Sequence, residues 1–101
     1  MQLILERSTI LNINLNDSTF SVKGKIIAII GATGYLGTQY VKYLSSLGAT
    51  IIIGDIDIKK CNYLSDQLND KGYNTFAIKI DNTDEKSIRN FFLKIEKSFN
   101  C

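Results

Sequence analysis

The sequence lacks several residue types on which common protein sites depend. It has no histidine, proline or tryptophan, and its 101 residues include only two cysteines, Cys61 and Cys101. Without histidine, and with the two cysteines far apart, neither a zinc site nor a disulfide framework has enough ligands. We therefore expect no metal site, and the scarcity of cysteine fits a reducing, cytoplasmic setting.

Long apolar runs and dense clusters of charge are also missing. The longest apolar runs, such as those at 26–30 and 51–53, are far shorter than the about 20 residues of a membrane helix. The apolar start of the chain is interrupted by Glu6 and Arg7 and is followed by no small-residue cleavage site, which argues against an export signal. The net charge of +2 comes from scattered lysines. We expect neither membrane nor nucleic-acid binding.

The chain divides into an irregular start and a regular remainder. Residues 1–20 mix isoleucine and leucine with asparagine without a clear period, and we interpret them as an amino-terminal arm. Residues 21–101 form the predicted domain. Hydrophobic residues make up 45% of the chain and charged residues 22%, which is typical of a globular protein with a folded core.

Within the domain, strand patterns and helix patterns alternate. Apolar, β-branched runs at 25–30, 50–55 and 74–80 predict three strands, and each is followed by apolar positions three and four residues apart. The positions with helical spacing are Leu36, Tyr40, Val41, Leu44 and Leu47; Ile58, Cys61, Leu64 and Leu68; and Ile88, Phe91, Phe92, Ile95 and Phe99. Strands joined through helices run parallel with right-handed crossovers, so the pattern predicts an α/β fold built as a βαβαβα unit.

The ends of the predicted helices carry suitable residues. Gly48 and Gly72 follow the first two helices, as glycine commonly does after a helix. We expect Asp57 to cap the second helix, and Asn82 or Thr83 to cap the third.

Three glycines, Gly31, Gly34 and Gly37, lie between the first predicted strand and the first predicted helix. The unpaired N–H groups and the positive dipole at a helix start suit an anion such as a pyrophosphate. In this interpretation Gly31 permits the turn, Gly34 allows the backbone to approach phosphate oxygens, and Gly37 allows the helix to pack closely on the sheet. The alternative is a turn without a ligand, which the position between strand and helix disfavours.

Asp55 at the end of the second strand strengthens this interpretation. It follows Gly37 by about the distance at which an acidic residue can accept hydrogen bonds from the hydroxyls of an adenosine ribose. A carboxylate there repels a 2′-phosphate, so we expect NAD rather than NADP. Lys59 and Lys60 are close enough in sequence to leave NADP open.

These features together resemble a known family. Residues 21–99, with the segments "SVKGKIIAIIGATGYLG", "DIDIKK" and "DNTDEKSIRNFFLKIEKSF", are similar to the amino-terminal half of short-chain dehydrogenases/reductases. The resemblance implies a three-layer, Rossmann-like unit with a parallel sheet that stops before a fourth strand. The glycine spacing is that of the longer, sugar-nucleotide-modifying members, whereas the segment from Thr83 onward looks more like the single-domain members, which we favour.

The resemblance also implies which residues bind the dinucleotide. In such enzymes the glycine segment holds the pyrophosphate, the acid after the second strand holds the ribose, and the residues after the third strand contact the adenine. The corresponding residues here are Gly31, Thr33, Gly34, Tyr35, Leu36, Gly37, Asp55, Asp81 and Asn82. Asn82 stands where the family usually has an apolar residue, so we expect a more polar adenine pocket.

No catalytic residue can be assigned. The family's proton relay resembles a tyrosine with a lysine four residues later, supported by a serine and an asparagine, and none of the five tyrosines is followed by such a lysine. We expect the cofactor-binding portion of an oxidoreductase, whose longer form would transfer hydride between NAD and an alcohol or carbonyl substrate. This chain alone is expected to be inactive.

An alternative function is a non-catalytic module that uses a nucleotide-binding fold for association. In the family's strand order, the strand at 25–30 pairs on its far side with a fourth strand. Its edge is therefore expected to be open here, and to invite self-association or a partner chain.

Overall fold

The computed structural model describes residues 3–6, 9–10 and 22–99. Its elements alternate after an amino-terminal hairpin. In chain order they are β1 (Leu3–Glu6), β2 (Thr9–Ile10), β3 (Ile26–Ile30), α1 (Tyr35–Ser46), β4 (Thr50–Asp55), α2 (Ile58–Asp70), β5 (Asn74–Lys79) and α3 (Glu85–Phe99). The strands form one sheet in the order β2-β1-β3-β4-β5.

The three strands predicted from apolar runs are confirmed, and they are parallel. In their register, Thr50 of β4 lies opposite Ile26 of β3 and Asn74 of β5. The run at 50–55 coincides with β4, while β3 begins one residue later than predicted and β5 ends one residue earlier. The carboxyl ends of all three strands therefore meet at one edge of the sheet.

Helices cover both faces of the sheet, which confirms the three layers. The face under α1 and α2 has the larger core, and the opposite face packs against α3. β4 contributes to both cores, since Ile51 and Ile53 point to the first face and Ile52 points to the second. The alternation follows from the two-residue period of a strand.

The ends of α1 are more exposed than the sequence suggests. Leu36 and Leu47 were expected on the buried stripe, but they are 58% and 43% exposed. The helix packs on the sheet through its middle, where Val41 and Leu44 are buried. Both leucines lie beyond that contact, so helical spacing alone placed them wrongly.

The helix caps agree with the sequence in one case and differ in the other. The carboxylate of Asp57 accepts a hydrogen bond from the N–H of Lys60 at 3.2 Å, as expected for the cap of α2. At α3 the cap is Asp84, whose Oδ1 accepts from the N–H of Lys86 at 3.0 Å. The expectation of Asn82 or Thr83 is wrong, because Thr83 is engaged with Asp81 instead.

The amino-terminal hairpin corrects one expectation. β1 pairs antiparallel with β3, with Leu3 opposite Ile30 and Glu6 opposite Ile27. The edge of the strand at 25–30 is therefore not open, and the expected association through it loses its basis. An antiparallel neighbour needs no helical crossover, so a four-residue strand in a segment without a period can provide it. The rest of the predicted arm lies outside the described residues.

Candidate functional site

The loop between β3 and α1 is fixed to the neighbouring strand. The N–H groups of Gly31 and Ala32 donate to the carbonyl oxygen of Gly54 at 2.9 and 3.1 Å. Gly31 has a φ of 80°, a left-handed conformation that favours glycine. Gly34 precedes α1 and offers no side-chain acceptor, and the first turn of α1 has no acidic residue. The helix start therefore keeps the positive character that attracts an anion.

The other two glycines of the motif serve different purposes. A Cβ on Gly37 would lie 2.5 Å from the carbonyl oxygen of Gly31 and 2.8 Å from the Cα of Ala32. Gly37 is thus required because the helix touches the loop backbone, not the sheet. Among the described residues, a Cβ on Gly34 would meet only the Gly31 oxygen, at an ordinary 3.5 Å. The packing of the chain itself does not require glycine at position 34.

Asp55 lies at the end of β4 and binds the glycine loop. Its Oδ2 accepts hydrogen bonds from the N–H and the hydroxyl of Thr33, at 3.0 and 2.6 Å. Its Oδ1 accepts from the N–H of Ile56 at 2.7 Å. Partial burial acts to raise the pKa of Asp55, but the hydrogen bonds from Thr33, Ile56 and Asp57 outweigh it and hold that pKa below the ordinary value. The side chain is therefore a carboxylate at neutral pH.

A cavity of about 260 Å³ lies at the carboxyl ends of the three parallel strands. Four of its lining residues were predicted to bind cofactor: Gly31, Asp55, Asp81 and Asn82. Four more were not predicted: Ile30, Ile56, Ile80 and Thr83. Ile56 and Ile80 directly follow β4 and β5, so the meeting of parallel strand ends could have identified them.

Asp81 shapes the far side of this cavity. Its Oδ1 accepts hydrogen bonds from the hydroxyl and the N–H of Thr83, at 2.6 and 3.0 Å. These bonds, with a smaller contribution from the charge of Lys79, hold the pKa of Asp81 below its ordinary value. The N–H of Asp81 donates to the hydroxyl of Ser87 at 2.8 Å, which joins the loop to α3.

The remaining predicted residues lie outside this cavity. Tyr35 and Leu36 are 82% and 58% exposed at the start of α1, and neither lines the cavity. Thr33 lines a second cavity of about 420 Å³ between α1 and α2. Lys42, Lys59 and Lys60 line the same groove, together with the carboxylate of Asp57.

Cys61 is a core residue, as its place in the helical stripe indicates. Its side chain lies on the buried face of α2. Burial, together with the charges of Asp55 and Asp57, raises the pKa of its thiol to about 11. Such a thiol is not a nucleophile at neutral pH. Within 22–99 and the two short strands before it, no cluster of side chains could hold a metal ion. None of the described helices has the length and apolar character needed to span a membrane.

Comparison with known proteins identifies the family. A family model described as short chain dehydrogenase matches residues 25–100. The match covers most of the chain and includes the glycine loop, Asp55 and Asp81. The chain belongs to the short-chain dehydrogenase/reductase family, and its fold is the Rossmann-like α/β unit expected from the sequence.

Individual proteins are similar to this chain in sequence or in fold, and the chain spans about a third of their length or less. The 7alpha-hydroxysteroid dehydrogenase of Escherichia coli (strain K12) is 26% identical over 73 residues, which are 72% of this chain and 29% of that protein. A short-chain dehydrogenase/reductase from Burkholderia phymatum in complex with NAD has a TM-score of 0.75 at 21% identity, covering 80% of this chain and 29% of that one. A metagenomic short-chain oxidoreductase in complex with NADP has a TM-score of 0.72 at 20% identity, covering 78% and 36%.

Proposed function

We propose that the chain binds NAD at the carboxyl edge of its sheet, as the cofactor-binding portion of a short-chain dehydrogenase/reductase. The observation that carries this proposal is the cavity in which Gly31, Asp55 and Asp81 meet beside the start of α1. Two similar structures contain NAD and NADP, which supports a nicotinamide dinucleotide as ligand.

The pyrophosphate would lie at the start of α1. Gly34 supports this placement. The described residues around it leave room for a Cβ, so the packing of the chain does not explain why the residue is glycine. A phosphate oxygen is an occupant that would need that space. The N–H groups of the first turn would then donate to an anion rather than to water.

The adenosine would occupy the cavity, with Asp55 binding its ribose. A carboxylate offers about four acceptor positions, and Asp55 already accepts hydrogen bonds from Thr33, Ile56 and Asp57. A ribose hydroxyl would therefore bind by displacing one of these donors, such as the hydroxyl of Thr33. Asp81 and Asn82 would contact the adenine from the opposite wall.

The preference for NAD rests on the charge of Asp55. A 2′-phosphate beside this carboxylate would suffer repulsion, and Lys59 and Lys60 offer compensating charge only in the neighbouring groove. When bound, the dinucleotide supplies the hydride chemistry of the family. The residues of this chain bind and orient its adenosine half, and a longer form would supply the residues that act on an alcohol or carbonyl substrate.

The alternative of an interaction module that uses the edge of the strand at 25–30 is less well supported, because β1 occupies this edge. The composition supports a cytoplasmic setting without nucleic-acid or membrane partners.

Isothermal titration calorimetry with NAD, NADP and ADP-ribose tests the proposal. ADP-ribose should bind about as well as NAD, because this chain contacts only the adenosine and pyrophosphate, and NADP should bind more weakly. Asp55→Ala should weaken NAD binding by about 1 to 3 kcal/mol through loss of charge-assisted hydrogen bonds. Asp57→Ala is the matched control, since this carboxylate caps α2 and does not line the cavity.

Gly34→Ala provides a second variant with a sharp expectation. Its stability should change by less than about 1 kcal/mol because the added methyl group has room, while NAD binding should fall by about tenfold or more. Absence of a heat signal with NAD and ADP-ribose at millimolar concentration would refute the proposal.

A further inference from the structure

The backbone groups on the two sides of β5, at the outer edge of the sheet, differ in their hydrogen-bond partners. In a pair of parallel strands, alternate residues form backbone hydrogen bonds with the neighbouring strand. The N–H and carbonyl groups of the residues between them point to the opposite side. The N–H of Ile80 donates to the carbonyl oxygen of Asp55 on β4 at 2.9 Å. By this alternation Ile78 also bonds to β4, while Ala77 and Lys79 direct their N–H and carbonyl groups outward.

Side chains cover both ends of this outer edge. Asn69 bonds to Thr75 as a neighbouring strand would, because its Oδ1 accepts from the Thr75 N–H at 2.9 Å and its Nδ2 donates to the Thr75 carbonyl oxygen at 3.1 Å. At the other end the N–H of Asp81 donates to Ser87. The backbone groups of Ala77 and Lys79 lie between these two covers, and no described residue supplies an outward partner for them.

A cavity of about 510 Å³ follows this open part of the edge. Ile58 from α2 lines it on one face of the sheet, and Phe99 from α3 lines it on the other. Phe76 is 46% exposed and packs edge-on against Phe99, with ring centroids 5.1 Å apart. The edge therefore lies in a groove with apolar walls, and not on a flat surface.

The charge of this groove selects among its potential occupants. Lys79 and Lys94 line it, and among the described residues no carboxylate does. A second copy of the chain would bring the same two lysines toward their own counterparts, which is unfavourable. An extended segment with acidic side chains would instead place carboxylates near both lysines while its backbone bonds to β5.

We propose that the groove at β5 binds an extended, acidic segment of another protein as an added strand. The segment would exchange backbone hydrogen bonds with Ala77 and Lys79, and its apolar side chains would contact Phe76 and Phe99. Asn69 and Ser87 limit the pairing to the few residues between them. The groove shares no lining residue with the proposed dinucleotide site, so either proposal can be refuted without affecting the other.

The test uses the 101-residue chain and two end-capped, fluorescein-labelled hexapeptides. One has the sequence Val-Val-Glu-Glu-Val-Val, which places one glutamate on each face of the extended segment, and the other has lysine at the same two positions. The acidic peptide should give saturable fluorescence anisotropy, and the basic peptide should not. Binding should protect the amides of Ala77 and Lys79 from hydrogen exchange, while the Ile78 amide, which already bonds to β4, serves as an internal control.

Charge reversal separates this groove from general attraction to a basic protein. Lys79→Glu and Lys94→Glu should each weaken binding of the acidic peptide by about tenfold. Lys86→Glu makes the same charge change on an exposed part of α3 outside the groove and should have little effect. Ala77→Pro should abolish binding, since it removes an outward N–H that the sheet does not use.

Three outcomes would overturn the proposal. They are equal binding of the two peptides, equal effects of Lys86→Glu and Lys94→Glu, and a chain that dimerises through β5 in sedimentation equilibrium instead of binding peptide. The exposed lysine variants keep the test decisive if Ala77→Pro does not fold.

Discussion

The N–H and the hydroxyl of Thr33 both donate to a single carboxylate oxygen of Asp55, at 3.0 and 2.6 Å. The two residues are 22 positions apart in sequence, so the contact joins the glycine loop to the end of β4. The same carboxylate lines the candidate cavity. Asp55 therefore has a structural role in addition to its proposed role in binding.

Removing the hydroxyl of Thr33 should weaken this contact. We expect Thr33→Val to lower the free energy of unfolding by about 1 to 2 kcal/mol, as for a partly exposed hydrogen bond to a charged group. The pKa of Asp55 should rise toward its ordinary value. Urea denaturation and an NMR titration of the carboxyl carbon measure the two effects. Thr38→Val, which removes a bond to the carbonyl oxygen of Ala32 only, should leave the pKa unchanged.

The low pKa of Asp55 predicts a pH dependence of stability. In the folded protein its pKa lies below the ordinary value of 3.8, so the carboxylate stabilises the fold fully above that pH. The contribution is lost as the pH falls through the folded-state pKa. The stability difference between the wild-type chain and Asp55→Asn should therefore be largest near neutral pH and shrink in acid. A constant difference between pH 7 and pH 3 would contradict this assignment.

The close approach of α1 to the loop makes Gly37 sensitive to substitution. A methyl group at this position would lie 2.5 Å from the Gly31 oxygen, and both neighbours are backbone atoms that cannot rotate away. We expect Gly37→Ala to cost about 2 to 3 kcal/mol of stability, as overpacking commonly does. Thermal unfolding followed by circular dichroism measures it. Gly34→Ala should unfold almost as the wild type does, and equal losses in both variants would refute this interpretation.

Removal of the amino-terminal hairpin should change the association state. β1 covers one edge of β3, whose residues are almost entirely buried. A chain that lacks residues 1–10 would expose this flat, apolar edge and should self-associate in a concentration-dependent manner. Sedimentation velocity compares it with the full chain at equal concentrations. A monomeric shortened chain would show that β1 does not protect the edge.

The parallel core could be predicted from the sequence because local patterns determine it. β-branched runs such as 50–55 and helical spacing at Cys61, Leu64 and Leu68 each report directly on burial. The hairpin could not be found in this way. β1 has four residues, and its partner is more than 20 residues away, so pairing and not periodicity decides its position.

The candidate site was only partly predictable for a related reason. The glycine motif and Asp55 follow fixed positions around strand ends, and Gly31 and Asp55 line the same cavity. The hydrogen bonds between Thr33 and Asp55 depend on how two loops approach each other, which spacing along one chain does not encode. The exposure of Leu36 likewise depends on where α1 leaves the sheet.

The position of β4 between two cores has a consequence for how the protein opens. Ile52 belongs to the layer under α3, and its neighbours Ile51 and Ile53 belong to the layer under α1 and α2. Neither layer can separate from the sheet without exposing part of this strand, so the two layers should unfold as one cooperative unit. The amides of β4 should accordingly be the last to exchange with deuterium, and they should do so at the rate of global unfolding.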